Sequence, residues 1–183
     1  MVRLLKSSLN FENEVIIVYD SETDNSVEEA KKLEAELPNV KALHNSKKRG
    51  VKYAIDKGVQ ESVYDIFLIT VVDDIFPILA IEEMMNLITK EDCDFISGTR
   101  YSLGGKRIGG SLIGSILSWT ANKTFQLLTN YPFSDSTTGI KMMKKNFWNS
   151  IVLESKPIGW AFAFELSIKV FIKNYKVSEV PFK

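Results

Sequence analysis

The stretch Tyr64–Pro77, YDIFLITVVDDIFP, decides how this chain reads. A polar Tyr-Asp step leads into Ile66, Phe67, Leu68, Ile69, Thr70, Val71 and Val72, and the run stops on two adjacent carboxylates, Asp73 and Asp74. A continuous β-branched and aromatic run of this kind is the pattern of a strand buried on both faces, as inside parallel sheets. Ligands of open α/β sheets bind outside the carboxyl ends of the strands. Asp73 and Asp74 thus stand where a cation and a phosphate-bearing ligand would be held. Their other role would be to cap the helix after Pro77, since Asp is a favoured N-cap residue.

Working back from that run, Glu14–Tyr19 (EVIIVY) reads as a strand ending on Asp20, and SETDNS follows as turn formers. Ser26 with Glu29 makes a capping-box pattern for a helix over Val27–Leu37, closed by Pro38-Asn39. Val40–His44 is a second short strand, NSKKRG a basic loop, and Val51, Ala54, Ile55, Gly58 and Val59 fall on one face of a helix. Working forward, Ile81, Met84, Met85 and Ile88 repeat the helical spacing and Asp94–Thr99 (DFISGT) is a fourth strand. This alternation predicts an α/β fold: a mostly parallel, Rossmann-like sheet with helices on both faces and right-handed crossovers.

Farther along, Leu103–Gly110 (LGGKRIGG) is glycine-rich around Lys106 and Arg107, with Arg100 just before it. It lacks both the strand-GxGxxG-helix context of a dinucleotide fingerprint and the GK[ST] of a P-loop. A long helix follows, with Ile113, Ile116, Leu117, Thr120, Ala121, Thr124, Phe125 and Leu128 in one stripe. The stripe is expected to pack on the sheet; the competing disposition is a helix lying on a membrane surface. Then come SDSTTGIKMM, a helical turn around Lys144–Ser150, a helix with Phe164, Ile168, Phe171 and Ile172 on one stripe, and an edge strand over Lys176–Phe182 that contains a proline. No linker divides the chain, so residues 1–183 are expected to form a single domain.

The 23 basic and 23 acidic residues balance, so no global basic field argues for nucleic acid. No apolar run reaches the ~18 residues of a membrane span. MVRLLKSSLNFENE has no long apolar core or small-residue cleavage site, hence no secretory signal. Cys93 is the one cysteine, which excludes an internal disulfide and fits a reducing compartment. The single histidine, His44, is read as structural, and its solitude excludes a His-rich zinc site.

Every candidate functional group follows a predicted strand: Asp20 the first, the KKRG loop the second, Asp73 and Asp74 the third, Arg100 the fourth. Mg²⁺ and Mn²⁺ favour oxygen ligands and often bind through one or two carboxylates plus substrate phosphates. A nucleoside-diphosphate donor suits that arrangement.

These residues resemble family 2 glycosyltransferases of the GT-A fold. VYDSETDNSVEEAKKL looks like the VDDGSTDGT segment, and NSKKRGVKYAIDKGV is similar to the N-x-G-x-x-x-A-x-x-x-G helix start. LITVVDDIFP stands where the family has D-x-D, SGTRYSLGG resembles GSRYVKGG, and DSTTGIKMMKK resembles DPTSGFRAFRR. GWAFAFELSIKVFIKNYKVSEVPF is similar to the G-W-x-F-x-x-E-L … G-Y-x-I-x-E-V-P tail. The motifs match in order and spacing over nearly the whole chain, and the branch they resemble most is the dolichol-phosphate mannose synthase-like enzymes.

The resemblance implies transfer of a sugar from a nucleotide-diphosphate sugar to an acceptor, a polyprenyl (dolichyl or undecaprenyl) phosphate, with Mg²⁺ or Mn²⁺ as cofactor. It implies that Asp20 faces the nucleotide base, that Lys48 or Arg49 with Gly50 lines the donor pocket, and that Asp73 binds the metal-diphosphate. Asp74 is the other candidate metal ligand, because Val71, or Val72 if a gap is allowed, occupies the place of the first Asp of D-x-D. Arg100 with Lys106 and Arg107 would hold the acceptor phosphate, where planar Arg gives bidentate recognition. Asp135 and Glu165 fall on family acids near sugar and acceptor, Asp135 serving either as a base or as a positioning group.

The family's opening strand has no counterpart here and the tail stops after VPF, so a truncated or shortened family domain is expected. A relative that binds nucleotide sugar or a partner protein without turnover is the alternative. The location implied is the cytoplasm, at the cytoplasmic face of a membrane, with peripheral membrane contact.

Overall fold

The computed structural model describes residues 1–46, 48–71, 78–105, 112–156 and 161–182. Contacts among them divide the chain into two compact units.

The first unit covers Met1–Asp65 together with Lys156 among the described residues. Helix α1 (Val2–Ser8) is followed by β1 (Val15–Tyr19), α2 (Val27–Glu36), β2 (Val40–His44) and α3 (Val51–Glu61). β1 and β2 pair in parallel from Val15↔Val40 to Tyr19↔His44, which brings their carboxyl ends, and so Asp20 and Asn45, side by side. Val2, Leu33 and Val40 form a buried cluster with Val15, Ile17 and Leu37 against it, so the apolar sides of α1 and α2 cover the strands. The predicted cap of α2 takes a different form. Ser26 makes no side-chain cap bond; instead its N–H and hydroxyl both donate to Asp24 Oδ1, at 2.9 and 2.6 Å. The shorter Asx turn uses up the Ser hydroxyl before it can reach the helix. Asn39 closes the α2–β2 turn at φ 58°, a left-handed conformation that Asn tolerates.

The second unit begins at Ile66. Its elements are β3 (Ile66–Ile69), α4 (Ile78–Thr89), β4 (Phe95–Thr99), α5 (Leu112–Thr129), β5 (Lys141–Lys144), α6 (Lys145–Ser150), α7 (Ala161–Ile172) and β6 (Val177–Pro181). The sheet order is β3-β5-β4-β6. β4 and β6 run parallel, whereas β5 is antiparallel to both β3 and β4. The α/β class stands, and β5 adds an antiparallel rung that the sequence reading did not place. Only Ile69 of β3 is fully buried, the other three positions being half-exposed. An apolar run specifies a strand without specifying the direction of its neighbour. The core lies under β4, where Phe95 and Ile96 are fully enclosed among Met84, Met143, Leu166 and Val180.

Two helical stripes differ from expectation. α7 buries Phe162, Ala163, Leu166, Ser167 and Val170, and Ile172 of the predicted stripe is 69% exposed. α5 turns most of its predicted stripe outward: Ile113, Ile116, Leu117 and Leu128 are all exposed, whereas Phe125 of that stripe packs against Tyr131 and Phe164, and Asn122 on the opposite side is 4% exposed. Asn122 accepts the Ser136 N–H at 2.9 Å and donates to the Ser118 carbonyl, also at 2.9 Å. The buried amide thereby ties this side of α5 to the loop before β5 and leaves the Ser136 N–H paired.

Candidate functional site

The first unit gathers Asp20, Arg49 and Gly50. β1 delivers Asp20 at its carboxyl end, and the ladder continues for one more rung as Asn45 N–H donates to the Tyr19 carbonyl at 2.9 Å. Asp20 Oδ1 accepts from Asn45 Nδ2 at 2.8 Å, and Oδ2 accepts from the Gly50 N–H at 2.7 Å. Gly50 sits at φ 125°, where side chains are strained, which explains a glycine at the start of α3. Arg49 is exposed beside this clamp. His44 stacks on Tyr19 with ring centres 5.3 Å apart, and its Nδ1 lies 3.3 Å from Glu22, the structural role expected of it. Lys31, whose Nζ is 3.2 Å from Glu22, holds that carboxyl below its ordinary value.

The second unit brings Arg100 and Asp135 together. Arg100 follows β4, and the segment between α5 and β5 carries Asp135 to it. Arg100 Nε donates to Asp135 Oδ2 at 2.6 Å and Nη2 to Oδ1 at 2.9 Å, a two-bond fork. The Arg100 N–H and both the N–H and hydroxyl of Thr137 also donate to this carboxylate. Asp135 is 0% exposed. Burial pushes its carboxyl up, and the Arg100 guanidinium outweighs that, leaving it below the ordinary range. With its oxygens taken up in this way, Asp135 orients Arg100. Tyr101 lies against the guanidinium at 5.1 Å and lines an open groove of about 380 Å³ with Ser115, Ile116, Trp119 and Thr120 of α5.

Behind this pair lies a row of polar residues that sequence reasoning missed. Ser97 of β4 is the register partner of Lys141 on β5 and of Glu179 on β6. Lys141 is fully buried, donates to Ser97 Oγ at 2.7 Å, and lies 5.7 Å from the centre of the Phe95 ring. Burial lowers its pKa to about 8, with Asp135 and Glu179 resisting the fall. Glu179 accepts the N–H groups of Ser134 and Asp135 and the Ser134 hydroxyl. Burial raises its carboxyl despite those bonds. A lone lysine between Ile140 and Met142, and a lone acid in VSEVPF, were the available signals.

Glu165 sits apart from Arg100 in its bonding. It accepts the N–H groups of Glu154 and Ser155 at 2.7 and 2.8 Å and lies 2.8 Å from Lys169 Nζ. Burial raises its carboxyl, but Lys169 and the two N–H groups take it down to about 2. In these contacts it anchors the segment before α7. Asp73, Asp74, Lys106 and Arg107 lie outside the described residues, and Val71 is half-buried just past β3. Among the described residues no three His, Cys, Asp or Glu side chains gather as a metal site.

The profile of the family described as Glycosyl transferase family 2 matches residues 1–150. A dolichol-phosphate mannosyltransferase of Pyrococcus furiosus is 28% identical over 95% of this chain, which spans 48% of that relative. A second dolichol-phosphate mannosyltransferase, from Mycosarcoma maydis, is 26% identical over 92% of the chain, or 57% of the relative. An undecaprenyl-phosphate mannosyltransferase of Micrococcus luteus is 23% identical over 93% of the chain, or 71% of the relative. The chain thus spans about half the length of the two dolichol-phosphate relatives. In fold it is similar to glucosyl-3-phosphoglycerate synthase from Mycobacterium tuberculosis, solved with Mn²⁺, UDP-glucose and phosphoglyceric acid. That match has a TM-score of 0.74 at 14% identity, over 99% of this chain and 63% of the other.

Proposed function

Because the chain belongs to glycosyl transferase family 2, we propose that it moves a sugar from a nucleoside-diphosphate sugar to a polyprenyl phosphate. The observation that carries this reading is the likeness, over more than nine-tenths of the chain, to relatives named for mannosyl transfer to dolichol phosphate and undecaprenyl phosphate. That likeness favours transfer over binding without turnover. The second unit supports it physically. A polyprenyl phosphate is an anion on an apolar chain, and Arg100 adjoins a groove lined by Tyr101, Ile116 and Trp119.

In this reading an acceptor phosphate oxygen attacks the anomeric carbon as the bond to the nucleoside diphosphate breaks. The phosphate is already anionic at neutral pH, so a strong base is not required. Asp135 accordingly acts by holding the Arg100 fork toward the acceptor phosphate. Lys106 and Arg107 add cations to the same task, Asp20, Arg49 and Gly50 meet the donor, and Glu165 steadies the segment before α7. Asp73 and Asp74 would hold Mg²⁺ or Mn²⁺. The cation, when bound, supplies stabilisation of charge on the leaving diphosphate.

No helix among the described residues is long and apolar enough to cross a membrane. The outward face of α5 instead suits peripheral contact with lipid, at the cytoplasmic face where nucleotide sugars are available. The test is incubation with radiolabelled nucleoside-diphosphate mannose or UDP-glucose, Mn²⁺ and a short-chain polyprenyl phosphate. Label is expected in the organic phase, lost in R100Q. Absence of both transfer and nucleoside-diphosphate binding would sink the reading.

A further inference from the structure

The Lys141–Ser97–Glu179 row crosses three neighbouring strands directly beneath the Arg100–Asp135 fork. Direct register partners share one face of a sheet, so both charged side chains flank the same buried serine. Glu179 spends its oxygens on the segment that carries Asp135. Oε1 accepts the N–H groups of Ser134 and Asp135 at 2.8 and 3.2 Å, and Oε2 accepts the Ser134 hydroxyl at 2.8 Å. The same hydroxyl lies 2.7 Å from Thr99 Oγ1, which in turn accepts the Tyr101 and Ser102 N–H groups at 3.1 and 3.3 Å. Both sides of the fork are therefore tied back to one carboxylate: Asp135 through its own backbone, and the segment around Arg100 through Ser134 and Thr99. Consecutive N–H groups converging on one oxygen fix the peptide they belong to, and hence the direction in which the Asp135 side chain leaves it.

We infer that Glu179 is a positioning residue: its carboxylate, faced by Lys141 across Ser97, orients the Asp135 backbone and through it the Arg100 guanidinium. The inference deepens the proposed function, since it rests on Arg100 as the group that meets the acceptor phosphate. A glutamine at 179 keeps the shape but turns one acceptor into a donor, and it removes the charge opposite Lys141.

The experiment uses the chain as it stands and two readouts. The first is ¹⁵N NMR of the Arg100 side-chain Nε–H, identified by its loss in R100K. In the wild type this proton is held on Asp135 and is expected to exchange slowly. In E179Q it is expected to exchange at least about tenfold faster while the β3–β5 backbone amides keep their protection. Unchanged protection of the Nε–H would overturn the inference, whatever ligand the protein binds. The second is affinity for a short-chain prenyl phosphate. E179Q is expected to weaken it about tenfold, with little further loss when combined with R100Q, as members of one network behave. Equal affinity, or a loss additive with R100Q, defeats the positioning role. A wild type that does not bind the probe removes Arg100's acceptor role, and the NMR readout still decides on Glu179. Should E179Q not fold, S134A removes one of the donors to Glu179. It is expected to quicken Nε–H exchange by about threefold, and no change would count against the inference.

Discussion

Asp135 accepts hydrogen bonds from Arg100 N, Nε and Nη2 and from Thr137 N and Oγ1, all while excluded from solvent. Removing the negative partner of a buried ion pair strands the positive one, at a cost of about 3 kcal/mol. D135N is therefore expected to lower the unfolding free energy obtained from urea titration by roughly that amount, and a loss under about 1 kcal/mol would contradict the geometry. Lys141 offers a second test at this scale. Its folded pKa of about 8 lies below the ordinary 10.5, so between those values the unfolded chain binds a proton that the folded chain does not. Stability contributed by this group rises as pH climbs from 8 toward 10.5, by at most about 1.4 kcal/mol per unit. Below pH 8 both states are protonated and the slope disappears. Tyr131, pushed up to about 12 by burial, adds an opposite slope above pH 10, and Cys93, whose thiol burial also raises, adds one above pH 9, so the comparison belongs between pH 8 and 9. K141M should flatten that window in denaturant titrations, and an unaltered slope would show that Lys141 titrates as it does in water.

The elements follow the same logic of close approach. A Cβ on Gly98 would lie 2.2 Å from Phe182 Cζ and 3.2 Å from Ile140 Cβ, so β4 accepts the Phe182 ring only because position 98 has no side chain. G98A is expected to displace Phe182 and destabilise the chain by roughly 1–3 kcal/mol, measured by thermal unfolding. α5 gives the contrary case. Leu117 is 65% exposed, so L117S should leave the denaturant midpoint within about 0.5 kcal/mol of wild type while reducing co-sedimentation with phospholipid vesicles. Strong binding by L117S would dismiss the lipid role of that face. The positions of β1, β2, α2, α3, α4, β4 and β6 were legible in the sequence because each has an apolar period and a turn former at its end. The inward face of α5 was not legible, since Asn122 faces inward to accept an N–H from Ser136, 14 residues away. β5 was hidden for a related reason: a buried lysine interrupts its apolar pattern. In the site, strand ends and charge type announced Arg100 and Asp20, whereas Glu179 and Lys141 became visible only when register set them beside Ser97.

Across the whole molecule, 23 basic and 23 acidic residues leave no net field to draw the chain toward anionic lipid. Vesicle association driven by the α5 face should therefore change little between low and high salt, whereas attraction by basic patches would weaken steeply. Sedimentation with neutral and anionic vesicles over a salt series distinguishes these, and a steep salt dependence would shift the contact to Lys106 and Arg107. The last strand has an effect that reaches outside the molecule. Among the described residues β6 ends the order of its sheet, and Phe182 N–H points back to the Thr99 carbonyl at 2.9 Å. Residues alternate along a strand, so position 181 directs its nitrogen to the open side, and there the residue is a proline. A neighbouring chain seeking to extend the sheet meets a rung with no hydrogen to offer, which discourages edge-to-edge, fibril-like stacking.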